Sequence, residues 1–178
     1  MNKKKLVTEM GRIDRDAFAQ SQKLPLVVVL DNVRSLHNVG SVFRTSDAFR
    51  VECIMLCGIT ATPPSAEIHK TALGAEDVVD WKYYGSTMDA VAELRSQGYR
   101  IYSIELCQGS IALQDFVTAP GERYAVVLGN EVKGVQQDVV DASDGAIEIP
   151  QFGTKHSLNV SVTAGMVIWE FAKKLGLV

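Results

Sequence analysis

Residues 126–135 have the sequence Val-Val-Leu-Gly-Asn-Glu-Val-Lys-Gly-Val, in which an apolar run is followed at once by Gly129, Asn130 and Glu131. Such a run is typical of a buried strand in a parallel sheet. In open α/β sheets ligands bind beyond the carboxyl ends of the strands, and a glycine there lets a ligand approach the main chain closely. The stretch therefore predicts an α/β fold with a ligand site beyond this strand, and an ordinary polar turn is the alternative.

The rest of the chain alternates short apolar runs with amphipathic stretches, the pattern of a mostly parallel sheet flanked by helices. Residues 158–163 alternate with a period of two and by themselves favour a strand, whereas the helical pattern is clear only from Ala164 onward. Residues 63–75 are predicted to be an ordered loop near the sheet edge. Strands are predicted at Leu26–Leu30, Cys53–Cys57, Val78–Trp81, Arg100–Ile104, Tyr124–Leu128 and Ala146–Ile149. Helices are predicted at about residues 3–20, 39–49, 86–97 and 158–174, with a short one after Gly134.

The composition indicates one globular domain. The chain has 178 residues, of which 47% are hydrophobic, and a mean hydropathy of +0.07. No apolar run approaches the roughly 18 residues of a membrane span. The three cysteines form no CxxC pair, so a disulfide framework and a zinc site are both disfavoured and a reducing cytoplasm is expected. The histidines have no metal-ligand spacing, and no metal is expected.

The charge is unevenly distributed along the chain. The net charge is −3, which argues against broad nucleic-acid binding. However, residues 1–50 hold nine Lys and Arg against five Asp and Glu, while the remaining residues hold nine against sixteen. A phosphate-binding face built from the first segment is one interpretation, and a solvated basic tail is the other.

A second polar stretch, Asn38-Val-Gly-Ser-Val-Phe-Arg-Thr, lies where a helix is expected to begin. Asn38 is predicted as its N-cap, and Gly40 keeps the first turn clear around outward-pointing N–H groups. Helical side chains lean toward the N-terminus, so the guanidinium of Arg44 can return to the same end and join those groups around a phosphate. The alternative is an ordinary capped helix with a surface arginine.

A third stretch runs from the strand at Ala146–Ile149 through a polar loop into the last helix. Ser157 is predicted as the N-cap of that helix, and Asn159 falls in its first turn. The density of small and amide side chains favours a ligand contact over a simple capped loop. Neither this stretch nor the others contains GxGxxG, and Val135 stands where a Walker loop has its lysine, so nucleotide triphosphates and dinucleotides are disfavoured.

Taken in order, the three stretches resemble motifs 1, 2 and 3 of the SpoU (TrmH-like) methyltransferases, a branch of the SPOUT superfamily. The resemblance runs from about residue 26 to the end of the chain. The matching positions are Asn38-x-Gly40-x-x-x-Arg44, Leu128-Gly129-Asn130-Glu131-x-x-Gly134, and Ile149-Pro150 followed by Ser157-Leu158-Asn159-Val160.

This resemblance implies a parallel α/β sheet whose C-terminal segment forms a trefoil knot. It implies a methyltransferase domain over residues 26–178, preceded by a helical extension over residues 1–25. It also implies a homodimer that binds S-adenosylmethionine in a bent conformation, through main-chain groups of the knot loops, and releases S-adenosylhomocysteine. Carried over to this sequence, the cofactor-binding residues are Glu105, Leu106, Leu128, Gly129, Asn130, Ile149, Ser157 and Leu158.

The reaction that the resemblance implies is methyl transfer from a sulfonium to a ribose 2′-hydroxyl of RNA. The family assigns the central catalytic role to Arg44, assisted by Ser157 and Asn159; Asn38 and Glu131 complete the set. Arginine is a poor base because its pKa lies above about 12. The hypothesis is therefore that Arg44 clamps a substrate phosphate in a bidentate manner, and that Glu131 orients Arg44 or the ribose.

The expected substrate is a compact RNA, a tRNA in preference to an rRNA, read by shape and exposed nucleotides. About 25 residues precede the first predicted strand, so recognition is expected from the catalytic domain, a short N-terminal helix with Arg12 and Arg15, and the partner subunit. No membrane partner is expected. Two alternatives stay open: a SPOUT enzyme that methylates a base nitrogen, and a non-catalytic RNA-binding protein of the same fold. The intact motif residues argue against both.

Overall fold

The computed structural model describes residues 2–6, 9, 11, 13–155 and 157–178, which form one seven-stranded sheet with helices on both faces. The strands are β1 (Leu24–Asp31), β2 (Val51–Cys57), β3 (Trp81–Tyr84), β4 (Tyr99–Ile104), β5 (Ile111–Ala112), β6 (Arg123–Leu128) and β7 (Gly145–Glu148). The helices are α1 (Arg15–Gln20), α2 (Leu36–Ala48), α3 (Ala66–Ala72), α4 (Thr87–Ser96), α5 (Gln137–Ala142) and α6 (Val160–Lys174).

The strand order is β3-β2-β1-β6-β4-β7-β5, and each pair of neighbouring strands in this described sheet is parallel. The predicted mostly parallel α/β sheet is thus confirmed. Because all the strands point the same way, their carboxyl ends meet at one edge of the sheet. The strands β6, β4 and β7 are adjacent, which brings the loops after them together at that edge. The C-terminal trefoil knot stays a prediction.

The core is divided between the two faces of the sheet. Successive side chains of β1 point to opposite faces, so Val28 and Leu30 pack in the cluster formed with α2, α3 and α6. Val27 and Val29 pack in the second cluster, with α4 and α5. Burial on both faces explains why β1 reads as a continuous apolar run.

The helix predicted at residues 3–20 is wrong over most of its length. Among the described residues, helix α1 begins only at Arg15, and residues 2–6, 11 and 13–14 are not helical. Gly11 has a left-handed φ of +59°, and Asp14 caps the helix by accepting a hydrogen bond from the N–H of Ala17 at 2.8 Å. Arg15 donates a hydrogen bond to the carbonyl of Asp77. Arg12, the other basic residue expected on this helix, lies outside the described residues.

Three further differences concern the middle of the chain. The predicted loop at 63–75 contains helix α3, which Ser65 caps by accepting a hydrogen bond from the N–H of Ile68 at 3.4 Å. The strand predicted at Val78–Trp81 is observed as β3, which begins only at Trp81, where pairing with β2 begins. Val79 precedes the strand and is buried in the core after a 3₁₀ turn. The two-residue strand β5 was not predicted, since it is too short to show a period.

Among the described residues, no helix has both the length and the apolar character needed to cross a membrane.

Candidate functional site

A cavity of about 690 Å³ opens at the sheet edge beyond β4, β6 and β7. Its volume lies within the range of small-molecule sites. The structure brings together here all the residues for which cofactor contacts were predicted. They are Glu105, Leu106, Leu128, Gly129, Asn130, Ile149, Ser157 and Leu158.

The cavity offers free main-chain groups among polar side chains and a few apolar ones. The main chains of Gly129, Ile149 and Leu158 make no hydrogen bond with any other residue in the described part of the chain. Polar main-chain groups in a partly enclosed place are normally satisfied by a partner. The side chains of Leu106 and Ile147 add apolar surface to the same walls. This donor and acceptor set fits a nucleoside-like ligand, and it matches the main-chain mode of binding that the sequence resemblance implies for S-adenosylmethionine.

The loop after β6 is closed by its own hydrogen bonds. The N–H of Asn130 donates to the carbonyl of Gly134 at 3.0 Å, and the N–H of Gly134 donates back to Asn130 at 2.9 Å. The side-chain oxygen of Asn130 also accepts from the N–H groups of Val132 and Lys133, at 3.0 and 3.1 Å. Gly134 has a φ of +70°, a conformation that favours glycine. The hydrogen bonds of Asn130 therefore fix the conformation of this loop.

Gly129 is required by close packing of the main chain. A Cβ placed there would lie 2.1 Å from the carbonyl carbon of Gly134 and 2.1 Å from the nitrogen of Val135. Both are main-chain atoms, so neither can move aside as the end of a flexible side chain could. The glycine thus allows the loop to turn back over the end of β6 and form one wall of the cavity.

Two carboxylates fix this loop to the sheet. Glu105 accepts a hydrogen bond from the N–H of Val135 at 3.0 Å, so its carboxylate braces the loop from the adjacent strand β4. Asp31, fully buried at the end of β1, accepts from the N–H of Gln136 at 2.8 Å and from the hydroxyl of Thr87 at 2.6 Å. Asp31 was missed by the sequence reasoning. Its signal was a lone carboxylate at the carboxyl end of a long apolar run.

A chain of hydrogen bonds joins the three motifs. The amide of Asn38 donates to Glu131 Oε1 at 3.1 Å. The amide of Asn159 in turn donates to the side-chain oxygen of Asn38 at 3.2 Å. Asn159 and Glu131 also line the cavity. Three polar groups from distant parts of the sequence are thus held in one row beside the predicted cofactor site.

Both predicted N-cap residues, Asn38 and Ser157, are wrong, because the observed caps lie two or three residues away. Helix α2 is capped by Ser35, whose hydroxyl accepts from the N–H of Asn38 at 3.3 Å, and Asn38 itself lies in the first turn. Helix α6 is capped by Asn159, whose side-chain oxygen accepts from the N–H of Ser161 at 2.9 Å, and Ser157 lies two residues before it. Serine and asparagine are both good N-caps, so local preference could not choose between the positions.

The N–H of Val39, the first after the predicted cap, donates to the carbonyl of Ser35 at 3.1 Å, so it is not open to a phosphate as was predicted. The carboxylate of Glu131 accepts from the N–H of Arg34 at 2.9 Å and from that of Ser35 at 3.0 Å. Glu131 thus orients Asn38 and this helix start, and it does not contact Arg44. Gly40 is buried against α3, where a Cβ would lie 2.2 Å from the carbonyl oxygen of Ile68, so it serves helix packing and not ligand access.

Arg44 lies on the exposed face of α2 and is not among the residues that line the cavity. Its guanidinium has no hydrogen bond or ion pair with any other described residue. An arginine with all its donors free, on the helix that carries Asn38, is available to a ligand from solution. The phosphate clamp at Arg44 stays a prediction.

The carboxyl group of Glu131 has a lowered pKa. Burial on its own raises the pKa of Glu131, but hydrogen bonds from the N–H groups of Arg34, Ser35 and Glu131 itself and from Asn38 outweigh it, so the pKa lies below the usual 4.5. A carboxyl with a lowered folded-state pKa stabilises the fold above its unfolded-state pKa, and this contribution is lost as the pH falls through the folded-state value.

We therefore expect Glu131→Gln to destabilise the protein near neutral pH and to matter progressively less below about pH 4.5. Urea unfolding of both proteins at about pH 7 and about pH 3.5 measures this. Asp115→Asn, which removes an exposed carboxylate on the segment after β5, is the control. A stability difference that did not change with pH would contradict the assignment.

Comparison with known proteins agrees with this geometry. Residues 25–169 match the sequence model of the SpoU rRNA Methylase family. The chain is 30% identical over 158 residues to the tRNA (guanosine(18)-2′-O)-methyltransferase of Aquifex aeolicus, a match that covers 88% of this chain and 72% of that protein. It is 29% identical over 170 residues to the 23S rRNA (guanosine-2′-O-)-methyltransferase RlmB of Vibrio parahaemolyticus, covering 96% of this chain and 68% of that protein.

A solved structure shows the same architecture. The AdoMet-bound rRNA methyltransferase from Sinorhizobium meliloti is similar with a TM-score of 0.79 and 27% sequence identity, over 90% of this chain and 60% of that chain. The chain thus spans between about three fifths and three quarters of the length of these three proteins.

Proposed function

This chain belongs to the SpoU rRNA methylase family, and from that membership we propose that it transfers a methyl group from S-adenosylmethionine to a ribose 2′-hydroxyl of RNA. The observation that carries the proposal is the hydrogen-bonded row of Glu131, Asn38 and Asn159. It joins the cavity to the helix that bears the unpaired Arg44. A cofactor site and a phosphate-binding group are thereby held by one rigid connection, as a methyl transfer between two bound molecules requires.

The cavity residues support the choice of cofactor. The free main-chain groups of Gly129, Ile149 and Leu158 would hold the adenosine part. The carboxylates of Glu105 and Glu148 also line the cavity, and they suit a ligand that carries positive charge. When bound, the cofactor supplies an electrophilic methyl group on a sulfonium. The Sinorhizobium meliloti relative was solved bound to AdoMet.

The remaining residues bind and orient the substrate. Arg44 holds an RNA phosphate with its planar fork of donors, which matches two phosphate oxygens at once. Asn38, which donates to Glu131, and Asn159, which donates to Asn38, position the ribose. Ser157 lines the cavity two residues before Asn159. Because arginine stays protonated, Arg44 acts on the hydroxyl proton only through the phosphate that it holds.

We propose a tRNA as the substrate. The Aquifex aeolicus relative is a tRNA methyltransferase and the Vibrio parahaemolyticus relative is a 23S rRNA methyltransferase. Two experiments test the cofactor and distinguish these substrates. Calorimetry with S-adenosylmethionine comes first, and an absence of binding would overturn the methyltransferase proposal. Nucleoside analysis of tRNA and rRNA from a deletion strain comes second. We expect one 2′-O-methylated nucleoside to be lost from tRNA. Its loss from rRNA instead would show that the substrate is an rRNA. Loss of a methylated base would show that the acceptor is not the ribose.

A homodimer in the cytoplasm is part of the proposal. Helix α6 presents three apolar side chains to solvent at helical spacing, namely Val162, Met166 and Trp169, which are 49%, 43% and 47% exposed. They form a stripe beside the cap residue Asn159. A self-complementary patch of this kind suits a two-fold interface. The three cysteines are free, as a reducing compartment requires.

We expect Met166→Glu to convert the dimer to a monomer, because it places a charge at the centre of this stripe. Light scattering across a range of concentrations measures the change. Ala92→Glu, on the exposed face of α4, is the matched control and should leave the oligomeric state as it is. A Met166→Glu variant that stayed dimeric would place the interface elsewhere.

A further inference from the structure

Phe152 is unusually exposed for its type. It lies on the loop between β7 and α6, and 97% of its surface is accessible to solvent. Four of the other five phenylalanines are buried, and Phe49 packs against Trp169 with ring centroids 5.7 Å apart. The chain thus places a large apolar ring in water at this one position, where it gains nothing for folding.

The position of this ring relates it to the cavity. Gln151, the residue before it, lines the cavity, and so does Ser157 at the other end of the loop. Phe152 therefore stands at the rim of the site where the cofactor and the ribose are proposed to meet. Gly153 follows it with no atom within 4 Å of an added Cβ, so the space around the ring is open.

Unpaired cations share this rim. Lys155 is exposed three residues after Phe152, and Lys133 is exposed on the loop after β6, where it lines the cavity. Neither ammonium group has a hydrogen bond or ion pair within the described part of the chain. The carboxylates Glu105 and Glu148 lie in the cavity itself. Two unpaired lysines thus lie on the loops that border the cavity, beside the carboxylates of Glu105, Glu131 and Glu148 that line it.

This combination fits a nucleic-acid strand better than a protein surface. A protein partner would require a contiguous apolar patch, but the loop neighbours of Phe152 are Gly153, Thr154 and Lys155. Single-stranded RNA is bound by aromatic rings that stack on unpaired bases, beside cations that hold the phosphates.

We propose that Phe152 stacks on an unpaired base of the RNA adjacent to the target ribose, and that Lys133 and Lys155 hold the flanking phosphates. The proposal rests on the proposed function, since it names how that site recognises its substrate. Stacking of this kind requires the target nucleotide to lie in a loop or to be turned out of its helix.

Bulk tRNA from the deletion strain is the probe. We expect Phe152→Ala to raise the KM for this tRNA by about tenfold, within the range measured for single stacked bases, and to leave kcat and the affinity for S-adenosylmethionine unchanged. Phe152→Trp should restore the KM, and its indole fluorescence should be quenched when tRNA binds. Val117→Ala, which removes a side chain 82% exposed on the segment after β5, is the control.

The role of the two lysines is tested by measuring how tRNA binding depends on salt concentration. Lys133→Gln and Lys155→Gln should each lower the salt dependence of tRNA binding by about 0.7 in the log–log slope. An unchanged KM in Phe152→Ala would overturn the inference while the wild-type enzyme still methylates RNA. A loss of cofactor affinity or of the dimer in that variant would also overturn it, by showing that the ring covers the cofactor or the partner subunit. If the wild-type protein neither bound nor methylated RNA, the proposed function itself would fail.

Discussion

Arg44→Lys is expected to lower kcat by about a hundredfold, the scale of removing one positioned donor from a transition state. Lysine keeps the charge but loses the planar fork that binds two phosphate oxygens together. Because Arg44 is exposed and its side chain makes no hydrogen bond or ion pair with other described residues, the substitution should leave the free energy of unfolding unchanged. The affinity for S-adenosylmethionine should also be unchanged, since Arg44 does not line the cavity.

Single-turnover methylation with saturating cofactor measures this effect. The control is Arg100→Lys, because Arg100 is an exposed arginine with only a long ion pair of 3.7 Å to Glu122. If Arg44→Lys retained most of the turnover, the fork-specific clamp would be wrong. A glutamine in place of Arg44 then tests whether charge alone suffices.

Gly129→Ala is expected to cost about 3 kcal/mol of stability or more, and to abolish binding of S-adenosylmethionine. The added methyl would lie 2.1 Å from two main-chain atoms, those of Gly134 and Val135. The loop must therefore move away from the end of β6, and that movement displaces a wall of the cavity. Buried main chain yields much less readily than a flexible side chain.

Chemical unfolding and calorimetry together measure the two losses. Gly153→Ala is the matched control, because the space around Gly153 is open and the same methyl should cost little there. If Gly129→Ala had wild-type stability and bound the cofactor normally, the close approach at this loop would not exist in solution.

The repeating parts of the fold could be predicted from the sequence. Strands β1, β2, β4, β6 and β7 were predicted within a few residues of their observed ends. In β1 and β6, burial on both faces leaves a nearly continuous apolar run. The resemblance to the SpoU family is confirmed by the family match over residues 25–169. Helix α6 was predicted against a period of two over residues 158–163, from the helical pattern that begins at Ala164 and partly from the resemblance. The short elements α3 and β5 were missed, since they are defined by their packing and show no clear period.

The sequence predicted many residues of the candidate site, but not the hydrogen bonds that join them. The second and third motifs contain many of the residues that line the cavity, but Asn38 and Arg44 of the first motif are not among them. No sequence pattern indicated that Glu131 accepts hydrogen bonds from the main chain just before α2, nor that Gly40 packs against α3. The hydrogen bonds from Asn38 to Glu131 and from Asn159 to Asn38 join residues 93 and 121 positions apart.

By itself, therefore, the amino-acid sequence determined the parallel α/β class, the central strands of the sheet and many of the residues that line the cavity. The tertiary structure alone decided which carboxylate fills the helix terminus, which glycines are needed for packing, and that the guanidinium of Arg44 and the ring of Phe152 are left free. The reason is physical: periodicity and motifs are properties of neighbouring residues, whereas a hydrogen-bond partner or a close approach depends on which distant segments the folded sheet places side by side.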